Sequence, residues 1–530
     1  MNVLPPPRYL VPLIVILLAV GCWVVPFLRP ALWLVLPVLA VTLWDFLQDR
    51  HALRRNYPLI ARIRWVFEDL RPFLRAYVVE SDREGRPFTI AERGLVYARA
   101  KGEISTHPMG TELDVYSDEY EWLGHSIVPK SSASETWHLP IGGPQCSKPY
   151  ASSLLNISAM SFGSLSANAI EALNKGAATG GFAHDTGEGS ISRYHRKHGG
   201  DLIWELGSGY FGCRNKDGSF NPELFAEQAA DEQVKMIEVK LSQGAKPGHG
   251  GMLPGAKVTE EIAEARKVEI SEDCISPAAH PAFSTPIGLL QFVQQLRELS
   301  GGKPAGMKLC VGQPHEIFAL VKAMLQTGIT PDFIVVDGAE GGTGAAPQEL
   351  TDNVGMPLRE GLILVRNALV GADLKHRVRI GASGKIHSGA GMARAFAMGA
   401  DWCNAARAFM FSLGCVQSMK CHTGECPTGV ATQVEWRQRG LVVDDKAERV
   451  ARFHKETLKA MREIVVAMGY DSPWDLTQHD MYQRIDSAKA GPIDEVYKFL
   501  KSGELLTAPE GTPYARSWRV ASADTFRRVA

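Results

Sequence analysis

The sequence predicts an α/β fold, a closed (β/α)8 TIM barrel preceded by an N-terminal transmembrane helical hairpin. Three observations predict it. Eight short β-rich runs recur between residues 154 and 406, each followed by polar or glycine-rich chain and a helical pattern. Two apolar runs fill residues 9–28 and 31–44. Three cysteines, Cys415, Cys421 and Cys426, crowd into a short stretch just past the eighth run.

The bulk composition narrows the function classes. With 45% hydrophobic and 22% charged residues the chain can fill a globular core, which excludes a disordered tail or low-complexity protein. A net charge of -1 leaves no basic footprint, so nucleic acid is excluded as a partner. Nine cysteines in 530 residues are too sparse for a disulfide scaffold. Their crowding points instead to a metal or cluster in a reducing compartment.

Residues 9–28, YLVPLIVILLAVGCWVVPFL, carry no charge and are long enough to cross the hydrocarbon layer of about 30 Å. The second run, ALWLVLPVLAVTLW, is shorter and ends at Asp45. Arg29 and Pro30 link the two, which reads as a hairpin over residues 1–50. A re-entrant or interfacial second segment is the alternative. No small-residue cleavage site precedes the second run, so a signal peptide fits poorly. Arg50, Arg54, Arg55, Arg62 and Arg64 follow it, against Arg29 alone in the link. The positive-inside rule then anchors the protein in the inner or plasma membrane with its catalytic body in the cytoplasm.

Residues 51–150 are mixed and proline-bearing and read as a cap or connector. The barrel, over 151–440, draws its strands from LLNISAM (154–160), FAHD (182–185), DLIWEL (201–206), KMIEVKL (235–241), AGMKLCV (305–311), DFIVVDG (332–338), VRIGAS (378–383) and DWCNAA (401–406). Strands alternating with helices imply parallel pairing and closure. Asn221 and Pro222 open one helix as cap and first residue, and residues 285–302 carry another that ends on glycines. The stretch 242–304 is too long for an ordinary barrel loop and is expected to cross the active-site face. Residues 441–530 read as a charged helical extension.

The Cys415-x5-Cys421-x4-Cys426-Pro spacing is the most specific signal in the chain. Zinc favours cysteine pairs closer together with a fourth ligand; His422 could supply one, so zinc stays open. Three thiolates suit an iron–sulfur cluster lacking one corner. The run GCVQSMKCHTGECPTGVATQ at 414–433 resembles the cysteine segment of the FMN domain of glutamate synthases, which holds a [3Fe–4S] cluster at this spacing. The resemblance extends over most of 150–433. It is nearest to the short FMN-binding glutamate synthase family proteins that lack a glutaminase domain.

That resemblance implies the site. FMN would lie along Ser158, Ala159 and Met160 in ISAMSFGS, against Gly341 and Gly342 in DGAEGGTG. Its phosphate would meet Ser383 and Gly384 in GASGKIHSG and Ala406 with Arg407 in NAARAF. Lys308 on the fifth strand resembles the lysine at the flavin N1–C2=O edge, where a cation stabilises the reduced anion. In KLSQGAKPGHGGMLPG at 240–255, Lys240, Gln243 and Lys246 match flavin or dicarboxylate contacts, and Arg266 matches an arginine for 2-oxoglutarate. Glu188 in DTGEGS matches the glutamate that handles ammonia protons. The implied catalytic residues are thus Glu188, Lys240 and Lys308. The implied reaction is reductive amination of 2-oxoglutarate by ammonia, with electrons reaching FMN through the cluster.

The sequence also departs from the family. His249 stands where a glutamate is usual, SPAAHPAFST replaces a segment rich in histidine and aspartate, and KLCVGQPHEIFA lacks a glycine-rich stretch. The amine or keto acid is therefore open. There is no N-terminal cysteine nucleophile, so ammonia is expected free or from a separate glutaminase subunit. GSGYFG at 207–212 matches a dinucleotide fingerprint but leads into CRNKDGSF and not a helix, so ferredoxin or a reductase subunit is the expected electron donor. A related flavin-dependent amino-acid dehydrogenase, an N-alkylglutamate-type synthase and a non-catalytic membrane scaffold are the competing readings.

Overall fold

The computed structural model describes residues 6–118, 120–131, 136–253, 255, 258–486 and 488–529. Met1–Pro5 of the hairpin segment and Pro254 of the long loop lie outside the described residues. The chain divides into two compact units, Met1–Ile90 and Ala91–Ala530.

In the first unit, α1 (Pro7–Val24) and α2 (Leu32–Leu47) are joined by a 3-10 turn, Pro26–Ala31, that carries Arg29. By length and composition, α1 and the continuous helical stretch Pro26–Leu47, the turn together with α2, could each cross a membrane. Their side chains are largely exposed, with Leu17 at 60% and Trp33 at 86%. After a short helical turn, Ala52–Asn56, α3 (Arg62–Leu74) follows and ends in a single π turn, Arg75–Val79.

The second unit is built on a closed barrel of eight parallel strands. They are β1 (Leu155–Ile157), β2 (His184–Asp185), β3 (Leu202–Leu206), β4 (Val234–Lys240), β5 (Ala305–Leu309), β6 (Phe333–Asp337), β7 (Arg379–Ser383) and β8 (Trp402–Ala405). Each lies within the run expected for it, except that β4 starts one residue earlier. Strand β8 pairs with β1, Asn404 opposite Asn156, and this closes the ring.

Before the barrel, α4 (Ile90–Lys101) precedes an antiparallel pair, His138–Ile141 with Tyr150–Ser153. The outer ring includes α5 (Ala167–Gly180), α6 (Pro222–Ala229), α8 (Pro286–Leu299), α9 (Pro314–Thr327), α10 (Leu358–Gly371) and α11 (Gly389–Ala397), while α7 (Glu260–Arg266) lies in the excursion between β4 and α8. Helix α12 (Val443–Ala467) packs against both α5 and α11, so the chain just past 440 completes the ring. Caps fix the starts: Asn221 accepts from Leu224 N at 2.9 Å, with Pro222 next to it as expected.

The barrel floor is closed by aromatic rings that sit where two strands have no side chain. A Cβ on Gly381 would lie 2.6 Å from the Trp402 ring, and one on Gly306 would lie 2.5 Å from the Phe333 ring. Those rings meet edge to face at 5.8 Å. At the same end, Arg297 Nε donates to Asp332 Oδ2 at 2.9 Å, both side chains almost fully buried. Asp332 also accepts from Ala305 N and Gly143 N. With the floor plugged, the polar inward residues gather toward the strands' C-terminal ends, where barrel sites form.

Candidate functional site

The mouth of the barrel is organised around one carboxylate. Glu188 follows β2, and Lys240 ends β4. Lys240 Nζ lies 3.1 Å from Glu188 Oε2 and donates to Gln243 Oε1 at 3.1 Å. Gln243 Nε2 donates in turn to Gly342 O at 3.2 Å, which ties the β4 loop to the glycine-rich loop after β6. Glycine lets the chain close over the acid: a Cβ on Gly251 would lie 2.4 Å from Glu188 Oε1. Burial works to raise the Glu188 carboxyl, but Lys240, Lys246 and Arg266 together hold it below the usual carboxylate range.

Two of those cations, Lys246 and Arg266, come from the long excursion between β4 and α8. Within it, Met252–Leu253 pairs antiparallel with Cys274–Ile275, and α7 ends at Arg266. Arg266 is 4% exposed, donates to Phe162 O at 3.3 Å and stacks over the Phe211 ring at 5.1 Å. Its Nε is buried without a partner among the described residues. Burial and Lys240 both push the Lys246 ammonium down, while Glu188 opposes them. His280, in the segment that departs from the family, bonds Lys240 O at 2.8 Å and the Tyr210 hydroxyl at 3.1 Å. It therefore braces the lysine's backbone.

One layer deeper, Lys308 of β5 faces three acids from the three preceding strands. Its Nζ bonds Glu205 and lies 3.2 Å from Glu238 and 4.0 Å from Asp185. All four residues are 3% exposed or less. The acids' donor atoms lie within 4.8 Å of one another, close enough to hold a cation. Here the lysine ammonium is that cation, held protonated by all three carboxylates against its burial. Burial raises Asp185 to about 7 and Glu238 well above the usual range. The sequence reading singled out Lys308 and missed its three partners, whose only signal is one charged letter inside each apolar strand.

The expected flavin contacts converge on the opposite side of the mouth. Ser158 N bonds Ala405 O at 3.0 Å, and the Ser158 and Ser383 hydroxyls lie 3.5 Å apart. Ser158 and Met160 are buried and Ala159 partly so. Asp337, unremarked in the sequence, accepts from Gly244 N at 2.7 Å and packs against Gly341. Arg407 lies across Gly342 and donates to Glu340 O at 2.5 Å. Burial lowers its guanidinium to about 10, with Asp337 and Glu340 opposing. Gly384 follows Ser383 with φ +147°, a conformation other residues rarely adopt. Asn404, on the inward row with Trp402, is 1% exposed, and its Nδ2 has no partner among the described residues. An unsatisfied amide donor level with Ser383 fits a polar ligand seated in this cradle.

The cysteine loop leaves the helical turn after β8 and is held by α4. Tyr97 donates to Cys415 O at 2.6 Å and Arg93 to Val416 O at 3.5 Å. Burial and the neighbouring thiols push Cys415 up to about 12 and raise Cys421. Cys426 is held low against its burial by the Thr428 hydroxyl and the N–H groups of Ala431, Thr428 and Val430. Three cysteines on one loop are the donor set that an iron–sulfur cluster takes.

Residues 141–471 match the model of a conserved region in glutamate synthase. A glutamate synthase large subunit-like protein of Bacillus subtilis (strain 168), YerD, is 35% identical over 500 residues, 86% of this chain and 94% of that one. The archaeal-type glutamate synthase [NADPH] of Thermotoga neapolitana is 33% identical over 317 residues, which cover 59% of each chain. Among solved structures, mandelate oxidase aligns with a TM-score of 0.44 at 15% identity over 76% of this chain and 98% of that one, a likeness too loose to carry an argument. The family match spans more than half of the residues and includes the barrel, the excursion and the cysteine loop, so the chain belongs to the glutamate synthase family.

Proposed function

We propose that this protein is a glutamate synthase-type oxidoreductase that reductively aminates 2-oxoglutarate, or a related keto acid, with ammonia. The observation that carries this reading is the charge at the mouth. Lys240, Lys246 and Arg266 contribute three positive charges around the single negative charge of Glu188. The surplus matches a dicarboxylate, whose two carboxylates take charge-assisted bonds from lysine and arginine. Lys240 orients the substrate carboxylate, and Glu188, held ionised, takes a proton from ammonium or the incoming amine. The excursion lies over Glu188 at Gly251.

FMN fits the cradle of Ser158, Ala159, Met160, Gln243, Gly341, Gly342, Ser383, Gly384, Ala406 and Arg407, with Asn404 as a further donor. Bound there, it supplies the hydride chemistry of the reduction. Cys415, Cys421 and Cys426 would hold a [3Fe–4S] cluster. Electrons come from a ferredoxin-like protein or a reductase subunit, and ammonia from solution or a separate glutaminase subunit. The apolar hairpin and the arginines after it support anchoring in the membrane, with the barrel on the cytoplasmic side.

The departures at His249 and in the segment of His280 leave the amine open, and the second reading is a related N-alkylglutamate-type synthase that takes an alkylamine. One experiment tests the proposal: the full chain, purified in detergent, is examined for flavin and iron and assayed anaerobically with 2-oxoglutarate and a panel of amines. Ammonia turning over fastest supports the first reading. An alkylamine turning over fastest supports the second, and a colourless, inactive protein refutes both.

A further inference from the structure

The N-terminal unit presents an amphipathic helix whose apolar face lies open. In α3, Ile63, Val66, Phe67, Leu70, Phe73 and Leu74 recur at helical spacing and share one side. Each is 39–59% exposed. Glu68 lies on the opposite side, and Arg64 and Arg71 border the stripe next to Phe67. The apolar stripe runs on through Tyr77, Val78 and Val79 in the π turn, which are 56–75% exposed.

The start of this helix is fixed to the end of α2. Asp45, fully buried, accepts from Arg62 Nε and Nη2 at 2.8 Å each, and from Leu59 N at 3.2 Å. Arg54 lies over the Trp65 ring at 4.2 Å. The open face therefore begins where the second apolar helix ends. Across residues 45–80, Arg50, Arg54, Arg55, Arg62, Arg64, Arg71 and Arg75 outweigh Asp45, Asp49, Glu68, Asp69 and Glu80, although Arg62 and Arg75 are paired with Asp45 and Glu80.

We infer that α3 is an interfacial helix: it lies along the surface of an anionic bilayer, its apolar stripe among acyl chains and its arginines at phosphate headgroups. Two features commit this surface to lipid. It is continuous with the apolar hairpin, and its charge complements anionic headgroups. The inference rests on the reading of α1 and α2 as a membrane hairpin. At a rise of ~1.5 Å per residue, α3 lays about 20 Å of helix on the membrane. Together with the Asp45–Arg62 lock it sets how the chain leaves the bilayer.

The test uses the full chain in nanodiscs of phosphatidylcholine and phosphatidylglycerol. An environment-sensitive fluorescent amino acid replaces Val66, Leu70, Glu68 or, as a control, Leu17 of α1. Quenching by doxyl-labelled lipid is compared with quenching by aqueous acrylamide. The expected lipid-to-water quenching ratio is several-fold higher at 66 and 70 than at 68. Equal acrylamide access at 70 and 68 would place the helix in water and overturn the inference. Protection of 70 from both quenchers would place a protein partner or second copy there and overturn it as well. Lipid quenching at Leu17 with either of those outcomes leaves the hairpin standing. Loss of lipid quenching at Leu17 itself removes the hairpin, and this inference with it.

Discussion

Replacing Lys308 by methionine removes the one cation that faces Asp185, Glu205 and Glu238 while keeping the stem that fills the barrel. Loss of one partner from a buried ion pair costs about 3–5 kcal/mol, against a total stability of about 5–15 kcal/mol. The cost depends on pH, and its sign follows from proton counting. In the native protein burial raises Asp185 to about 7 from the ordinary 3.8, with Lys308 opposing. Between those values the folded chain binds more protons than the unfolded chain, so stability falls as pH rises, and this slope ends near pH 7. Without Lys308 the carboxyl moves higher still. The variant then keeps losing stability above pH 7, at up to about 1.4 kcal/mol per pH unit for each carboxyl that stays protonated. Urea unfolding followed by tryptophan fluorescence at pH 6 and pH 8.5 measures the difference from the native chain. It should widen with pH by about 1–2 kcal/mol. A difference that is the same at both pH values would refute the ionised lysine at the centre of the cluster.

Three further outcomes follow from the site. Lys240→Met removes the partner of Glu188 and Gln243. Loss of a charge-assisted bond of about 1.5–3 kcal/mol should lower kcat/KM for the keto acid by about 10- to 150-fold, and unchanged kinetics would remove Lys240 from the site. Cys421→Ser should abolish bound iron while leaving flavin absorption, as read by metal analysis and visible spectra of the purified protein. Gly381→Ala places a Cβ 2.6 Å from the Trp402 ring; overpacking of this kind costs about 1–3 kcal/mol, and calorimetry should show a lower Tm with the flavin still bound.

The eight strands are legible because parallel strands are buried on both faces and read as near-continuous runs such as FIVVD and LIWEL. Their order around the ring follows from chain order alone. What fills the floor does not, since Gly381 and Trp402 meet only through the register of β7 and β8. The acids of the cluster are visible letters in three strands. That all of them face Lys308 depends on β2, β3, β4 and β5 being consecutive neighbours in the closed ring. At the mouth, the family motifs brought Glu188, Lys240 and Gln243 forward, and the structure joins them to Gly342. Asp337 and Asn404 open the segments DGAEGGTG and NAARAF without a role of their own in the resemblance, and their importance appears only through bonds made or missing in the folded barrel. In 51–150, read as a connector, the 3.6-residue pattern of α3 is plain, but a sequence cannot tell whether an apolar stripe is covered.

The barrel sorts its carboxyl groups by depth. Glu188 stands at the mouth among three cations and is held low, whereas Asp185, three residues before it, shares one lysine with two other acids and is held high. The same side-chain chemistry thus presents a proton acceptor above and proton holders below. Environments that push carboxyl groups apart in this way separate acid from base at one pH. The divide is built into the sheet: Lys240 and Lys308 are register partners on adjacent strands. Lys240 reaches up to Glu188, and Lys308 reaches across to Glu205. The pairing of β5 with β4 sets Lys308 beside Glu238, while Lys240 meets Glu188 through the β2–β3–β4 neighbours, so a slip of β4 within the ring would disturb both lysine–acid contacts.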